Sequence, residues 1–178
     1  MSARVMEIMQ GEFLDSCREL FDEYGIDLRS SDHEVEFTGM ESVAVIGATG
    51  VDIRASVTVQ LPRAVTNATC PAEMQLMSNA DHEDWIGELT NQLMGRFKNK
   101  ILPYNCELNI DIPNVIHGKK LRPMLPKRSQ IISLNFDCKH GEIGCRLALL
   151  LETGFENHFS EIPLHQVDVM DEGELLFF

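Results

Sequence analysis

The clearest pattern of apolar and polar positions lies in residues 81–102, DHEDWIGELTNQLMGRFKNKIL. At about 100° per residue, a helix gathers four apolar side chains into a narrow stripe; these are Ile86, Leu89, Leu93 and Phe97. The opposite side carries Glu88, Asn91, Gly95 and Lys98. Asn79 or Asp81 can cap the start of the helix, and Pro103 stops it. The pattern predicts one long helix with a stripe that faces the core and a polar face that points outward.

The outward face contains two residues that do not favour a helix. Asn91 and Gly95 are weak helix formers, and the glycine costs up to about 1 kcal/mol relative to alanine. A glycine one turn after an asparagine lets another molecule's backbone come close to the amide side chain, which indicates a docking surface. The simpler interpretation is a solvated face with an incidental Asn and Gly, and spacing alone leaves both interpretations open.

The chain before this helix predicts one helix and a set of strands. Residues Arg4–Tyr24 have apolar positions at spacings of three and four, and Gly25 follows as a C-cap. Strand-like segments follow at Val35–Thr38 and Ser42–Gly47, and residues 48–50 are expected to form a turn. Residues 51–61 alternate strictly between apolar and polar, which predicts a strand that pairs with the preceding one as an antiparallel hairpin.

The remaining elements complete the predicted fold. RAVTNAT (63–69) can start a short helix that 72–77 resumes, and Cys106–Ile112 reads as a strand followed by a turn over Pro113–Gly118. Gln130–Phe136 and Ile143–Glu152 are expected to form a second hairpin. The predicted fold class is therefore α+β, with a single mostly antiparallel sheet and long helices packed on one face.

Composition fits one globular domain followed by a tail. The chain has 178 residues, of which 44% are hydrophobic, and we expect a domain over residues 1–160 and an acidic tail over 161–178 that ends in Leu-Leu-Phe-Phe. The tail either docks on its own domain or inserts into a partner. No apolar run suits a membrane span and the first residues do not resemble a signal peptide, so we expect a cytoplasmic protein without membrane insertion.

Charge and cysteine content narrow the classes of ligand. A formal net charge of −13 argues against nucleic acid as the main partner. The acid-free segment 118–129, GKKLRPMLPKRS, is either a solvated loop or a contact for an acidic protein. The five cysteines are scattered, which favours reduced and mostly buried thiols over disulfides, and we expect no metal site.

Two motifs resemble a known family. Glu88-x-x-Asn91-x-x-x-Gly95-x-x-Lys98-x-x-x-Leu102 is followed by Ile112-Pro113-x-Val115-Ile116-x-Gly118. Together they resemble the CheX branch of the CheC/CheX/FliY phosphatases of bacterial chemotaxis. The flanking order of helices and strands extends a looser likeness over most of the chain.

The resemblance implies a protein aspartyl-phosphate phosphatase that acts on the receiver domain of a CheY-like response regulator. It implies that Asn91 orients the attacking water and that Glu88 engages a receiver lysine, with Gly95, Lys98 and Gly87 as further partner-binding residues. It also implies a homodimer and no cofactor of its own, the Mg²⁺ belonging to the receiver. The basic segment and the acidic tail depart from a minimal CheX pattern, which leaves open the identity of the receiver and the pathway.

Two other functions are compatible with the sequence. One is a non-catalytic CheX-like signalling module that binds a partner protein. The other is an unrelated α+β domain that binds a small molecule, which a deep apolar pocket away from the long helix would favour.

Overall fold

A computed structural model describes residues 3–32, 41–71, 78–118 and 128–163. The helices are α1 (Ala3–Glu23), α2 (Arg63–Thr69), α3 (Asn79–Ile101) and α4 (Phe155–His158), and a short 3-10 turn, Leu102–Tyr104, follows α3. The strands are β1 (Arg29–Ser30), β2 (Glu41–Gly50), β3 (Ile53–Pro62), β4 (Asn109–Ile110), β5 (Asn114–Gly118), β6 (Gln130–Cys138) and β7 (Gly141–Leu151).

The strands of the described residues form one seven-stranded sheet. Its order is β1-β6-β7-β3-β2-β4, and β5 pairs with another part of β2. Every pairing is antiparallel. Both predicted hairpins are confirmed, β2–β3 with register from Glu41↔Pro62 to Gly50↔Ile53 and β6–β7 from Gln130↔Leu149 to Cys138↔Gly141. The predicted fold class is confirmed by this antiparallel sheet and by the helices that pack on it.

The core lies between the sheet and the helices. Alternate residues of β3 point into it and are buried: Ile53, Ala55, Val57, Val59 and Leu61. The predicted stripe of α3 is confirmed, because Ile86, Leu89, Leu93 and Phe97 are each fully buried. Fully burying such a side chain stabilises a protein by about 1.5–3 kcal/mol, so docking of α3 contributes a free energy comparable to the whole net stability of a small domain.

Helix α1 packs on α3 and closes the core. Phe13 of α1 meets Phe97 of α3 edge-on, with ring centroids 5.8 Å apart. Cys17 of α1 and Cys145 of β7 are buried neighbours, and burial, followed by the contact with Cys145, raises the pKa of the Cys17 thiol well above its usual value. Burial also raises the pKa of Cys106 to about 12. All five cysteines are free thiols, three of them buried, as expected from the sequence.

The ends of α3 differ slightly from the prediction. The N-cap is Ser78, and neither Asn79 nor Asp81 takes that position. The Ser78 hydroxyl accepts from the Asp81 backbone N–H at 3.2 Å, and the Asp81 carboxylate accepts from the Ser78 backbone N–H at 2.7 Å. This capping box satisfies two donors that the first turn of a helix leaves unpaired. Asp81 is therefore the third residue of the helix, and it is the partner of Ser78 in the capping box.

Two predicted turns are wrong because strand pairing uses their residues. β2 continues through residues 48–50, and the chain reverses at Val51 and Asp52 instead. Gly50 serves close packing, since a Cβ there would lie 2.2 Å from the Glu107 carbonyl oxygen. Residues 114–118, expected as a turn, form β5 and pair with β2 from Val45↔Asn114 to Glu41↔Gly118. The preceding expected strand, 106–112, is reduced to β4.

Several predictions lie outside the described residues. These are the strand at 35–38, the helical segment at 72–77, most of the basic segment after Gly118 and the tail beyond residue 163. Of the helices in the part of the chain that the structure describes, none combines the length and the apolarity that crossing a bilayer requires.

Replacing Ser78 by alanine is expected to lower the free energy of unfolding by about 1 kcal/mol, because the first turn of α3 loses its cap. Urea denaturation monitored by circular dichroism measures this difference. Ser78→Asn is the matched control, since asparagine caps helices as well as serine does and should retain most of the stability. Equal stability of Ser78→Ala and the native protein would contradict the assigned cap.

Candidate functional site

The candidate site lies on the side of α3 that faces away from the sheet. We call Glu88, Asn91, Gly95 and Lys98 the outer face. Glu88 and Asn91 are exposed, and Gly95 and Lys98 are half-buried. Residues three apart on a helix have Cβ atoms about 5–6 Å apart, so Glu88 and Asn91 are neighbours one turn apart. The structure thus brings together four of the five residues that the sequence singled out.

Asn91 presents its side-chain amide to solvent. Within the described part of the chain, the Asn91 side chain makes no hydrogen bond. An amide offers two N–H donors and one carbonyl acceptor and carries no charge. It can therefore bind and orient a water molecule beside an anionic group without repelling that group.

Glu88 has one of its two oxygens engaged. The Gln92 side-chain amide donates to Glu88 Oε1 at 2.9 Å, across one turn of α3. Among the described residues, no hydrogen bond engages Glu88 Oε2. A carboxylate with an unoccupied oxygen at the surface can accept a charge-assisted bond from a lysine or arginine of another protein.

Gly95 makes no close packing contact with the other residues that the structure describes. A Cβ added to Gly95 would meet nothing within 4 Å, apart from its own helix backbone. A glycine in the middle of a helix destabilises it by up to about 1 kcal/mol relative to alanine. The open space above Gly95 leaves room for close approach of another molecule.

Gly87 and Lys98 differ in position. Gly87 is not on the outer face: it is buried, and a Cβ there would lie 3.5 Å from Val115 and 3.6 Å from Pro113. These are ordinary van der Waals distances, and they place Gly87 at the contact between α3 and the segment that contains β5. Lys98 is half-buried and forms no ion pair within the described residues, so its ammonium group can bind an anionic group of another molecule.

A row of polar contacts joins α3 to α1 beside the outer face. Gln92, Arg96 and Lys100 follow one another at intervals of four residues. The Tyr24 hydroxyl donates to Gln92 Oε1 at 2.9 Å, Arg96 pairs with Glu23, and Lys100 pairs with Glu19 at 2.8 Å. The row links α1 to α3 at three successive turns and shows that the two helices run antiparallel.

The contact of Gln92 with Glu88 and Tyr24 was not predicted from the sequence. The sequence held a signal for the bond between Gln92 and Glu88, because a glutamine four residues after a glutamate can reach that carboxylate on a helix. It held no signal for the bond between Gln92 and Tyr24, since these residues are 68 positions apart in the chain.

A second polar cluster lies near the start of α3. Ser42 Oγ and His117 Nδ1 are 2.5 Å apart, and His117 Nε2 is 3.4 Å from Glu83 Oε1. Arg63 Nε donates to His82 Nε2 at 3.1 Å. Burial, followed by the nearby Arg63 charge, lowers the pKa of His82. These contacts tie α2, β2 and β5 to α3, and they fix the turn of the helix that precedes Glu88.

The described residues hold no cluster suited to a metal ion, and a cavity that they line lies apart from the outer face. No three His, Cys, Asp or Glu side chains among them are arranged to hold a metal ion. One cavity, of about 290 Å³, lies at the end of α1 and is lined by Arg18, Glu19, Asp22, Ile26, Asp27 and Leu28. Four of these six residues are charged, and none of the six belongs to the outer face.

Comparison with protein-family models finds a match to chemotaxis phosphatase CheX over residues 42–137, more than half of the chain. The chain belongs to the CheX family. The match includes α3, β4 and β5, and therefore both motifs on which the resemblance was recognised. No curated protein sequence matches the chain.

The fold is that of solved CheX structures. Chemotaxis protein CheX from Desulfovibrio desulfuricans superimposes with a TM-score of 0.68 at 20% identity, covering 79% of this chain and 98% of that one. CheX from Vibrio vulnificus gives 0.68 at 17% identity, covering 78% and 96%. CheX in the CheX–CheY–BeF3–Mg²⁺ complex from Borrelia burgdorferi gives 0.62 at 14% identity, covering 78% and 96%.

Replacing Gly95 by alanine is expected to raise the free energy of unfolding by up to about 1 kcal/mol, because the new methyl group meets no neighbour and the helix gains propensity. Gly11→Ala is the matched control, since Gly11 is an exposed glycine of α1 with equally open surroundings. Urea denaturation of the two variants measures both gains. A loss of stability in Gly95→Ala alone would show that Gly95 has a structural role.

Proposed function

We propose that this protein hydrolyses the aspartyl phosphate of a receiver domain in a CheY-like response regulator. The observation that carries the proposal is the exposed Asn91 amide, which has no hydrogen-bond partner among the described residues and stands beside Glu88 on α3. Membership of the CheX family supports the reaction class. The complex of a CheX from Borrelia burgdorferi with CheY supports the class of partner.

Asn91 is proposed to act on the attacking water. Its amide reaches the receiver's phosphoaspartate and holds a water in line with the bond between phosphorus and the aspartate oxygen. The water oxygen bonds to phosphorus as that bond breaks, which yields inorganic phosphate and a free aspartate. Phosphoryl transfer requires mostly positioning and electrostatic stabilisation, and a neutral amide supplies the first without adding negative charge. The Mg²⁺ of the reaction belongs to the receiver.

Glu88 is proposed to bind a lysine of the receiver. Its Oε2 has no partner among the described residues and can accept from an ammonium group, which removes that lysine from its contact with the phosphoryl group. The two neighbouring residues thus have separate tasks, Asn91 toward the water and Glu88 toward the partner.

The rest of the outer face completes the proposed contact. Gly95 admits the receiver's backbone, and Lys98 binds an anionic group near it. A direct partner contact at Gly87 stays a prediction that its burial against β5 does not support. The homodimer implied by the family resemblance and the cytoplasmic location expected from the sequence also stay predictions.

Asn91→Ala is expected to lower kcat for receiver dephosphorylation by about 100-fold or more, because the water is no longer held in line. Purified receivers from the same organism, phosphorylated with acetyl phosphate, are the substrates, and phosphate release is measured. Asn99→Ala is the matched control, an exposed asparagine about 12 Å further along the same helix. It should leave kcat unchanged.

Two results would contradict this proposal. If Asn91→Ala accelerates phosphate loss as well as the native protein does, the assigned mechanism is wrong. If the native protein binds a receiver stably and leaves the lifetime of its phosphate unchanged, the protein is a non-catalytic signalling module.

Glu88→Gln is expected to raise KM for the phosphorylated receiver by about tenfold, because an interfacial ion pair is lost. The kcat at saturating receiver should fall much less than in Asn91→Ala. Since exposed ion pairs weaken in salt, the difference in KM between the native protein and this variant should shrink between low and high ionic strength. A KM difference independent of salt would argue against an ion pair at Glu88.

A further inference from the structure

The Glu88 side chain must lose conformational freedom when it binds a partner. It is exposed and has a long side chain, and holding such a side chain in one conformation costs entropy when a partner binds. A carboxylate that is already held before the receiver arrives binds more tightly. In this structure Gln92 Nε2 donates to Glu88 Oε1 at 2.9 Å and provides that restraint.

The orientation of Gln92 follows from the chemistry of its two neighbours. An ionised carboxylate only accepts hydrogen bonds, so the Gln92 NH₂ group must face Glu88. The Gln92 carbonyl oxygen then faces Tyr24, 2.9 Å from the hydroxyl, and the hydroxyl must donate. The carboxylate thus sets the amide orientation, and the Tyr24 hydroxyl holds the amide in it, so the three side chains form one directional chain of hydrogen bonds.

Tyr24 is itself held firmly. α1 ends in a Schellman motif, in which the Gly25 and Ile26 N–H groups donate to the Asp22 and Phe21 carbonyls at 2.8 and 2.9 Å. Gly25 has φ +66°, the left-handed conformation this motif requires. The Tyr24 ring also meets Trp85 of α3 edge-on, with centroids 5.6 Å apart.

We propose that Tyr24 and Gln92 are positioning residues for the receiver contact: they hold Glu88 Oε1 so that Oε2 is available to the receiver's cationic group. This inference rests on the proposed function, because it takes Glu88 as the residue that binds the receiver. It adds two residues that act through Glu88 and that do not themselves touch the phosphoryl group.

The test measures receiver binding separately from turnover. Tyr24→Phe removes only the hydroxyl, and Gln92→Met removes both bonds at similar volume. The Kd for a receiver activated with beryllofluoride is expected to rise about 3- to 10-fold in each variant. The kcat for the phosphorylated receiver should stay within about twofold of the native value, because Asn91 and the water are untouched. The double variant should match Gln92→Met, since Tyr24 acts through Gln92.

The deciding measurement repeats both substitutions in Glu88→Ala. In that background Tyr24→Phe and Gln92→Met should have no effect on Kd. If the two residues only support the fold, the rise in Kd should persist there. Lys100→Met is the matched control, since it breaks another contact between α1 and α3, the pair with Glu19, and should leave Kd unchanged. Two results overturn the inference. One is that Tyr24→Phe and Gln92→Met weaken binding as much in the Glu88→Ala background as in the native one, and the other is that they do not weaken binding in the native background. If the native protein binds the activated receiver without dephosphorylating it, the proposed catalysis fails, while the Kd comparison still decides the role of Tyr24 and Gln92.

Discussion

The structure depends on burial of the apolar stripe of α3. The side chains of Ile86, Leu89, Leu93 and Phe97 are fully buried between the sheet and α1, and their transfer from water is a large part of the free energy that folds the domain. Because a helix is a rigid cylinder, this burial also fixes which residues point outward. The rotation of α3 that buries Phe97 and Leu89 is the rotation that exposes Asn91 and Glu88, so folding and presentation of the site are one event.

The local periodicity of α3 explains why its stripe and outer face were predictable. Apolar spacing is a property of neighbouring residues, and the strict alternation in residues 51–61 likewise identified β3 and its hairpin. The errors occurred where distant contacts override local preference. Gly50 was interpreted as a turn residue, yet it is small because the Glu107 carbonyl lies against it. Residues 114–118 resembled a turn in composition, and the unpaired edge of β2 makes them a strand.

The residues of the candidate site also divide into those that local sequence predicted and those that depend on distant contacts. Glu88 and Asn91 were found from a short motif on one helix face, together with the family resemblance that gives the motif a meaning. Tyr24 could not be found, because it reaches Gln92 only after α1 has packed on α3. Gly87 shows what a motif alone does not reveal: the family resemblance implied a partner-binding role, which stays a prediction, and the contact of β5 with α3 buries this residue. Proximity along a helix identifies residues that share a face, but the elements that pack beside the helix decide which residues support the site.

An exposed asparagine can serve as a catalytic group only if its backbone is already fixed. Asn91 lies on an open helix face, so no pocket of its own protein holds it in place. Its position matters, because misplacement of a water by about 1 Å can lower the rate by a factor of about 100. The required rigidity comes from contacts on either side of Asn91. The capping box at Ser78 and the polar cluster of His117 and Glu83 hold the helix before it, and the packing of Phe97 against Phe13 of α1 holds the helix after it. In the proposed mechanism, the free energy of folding is used to position the catalytic group, and positioning is what phosphoryl transfer most requires of a protein.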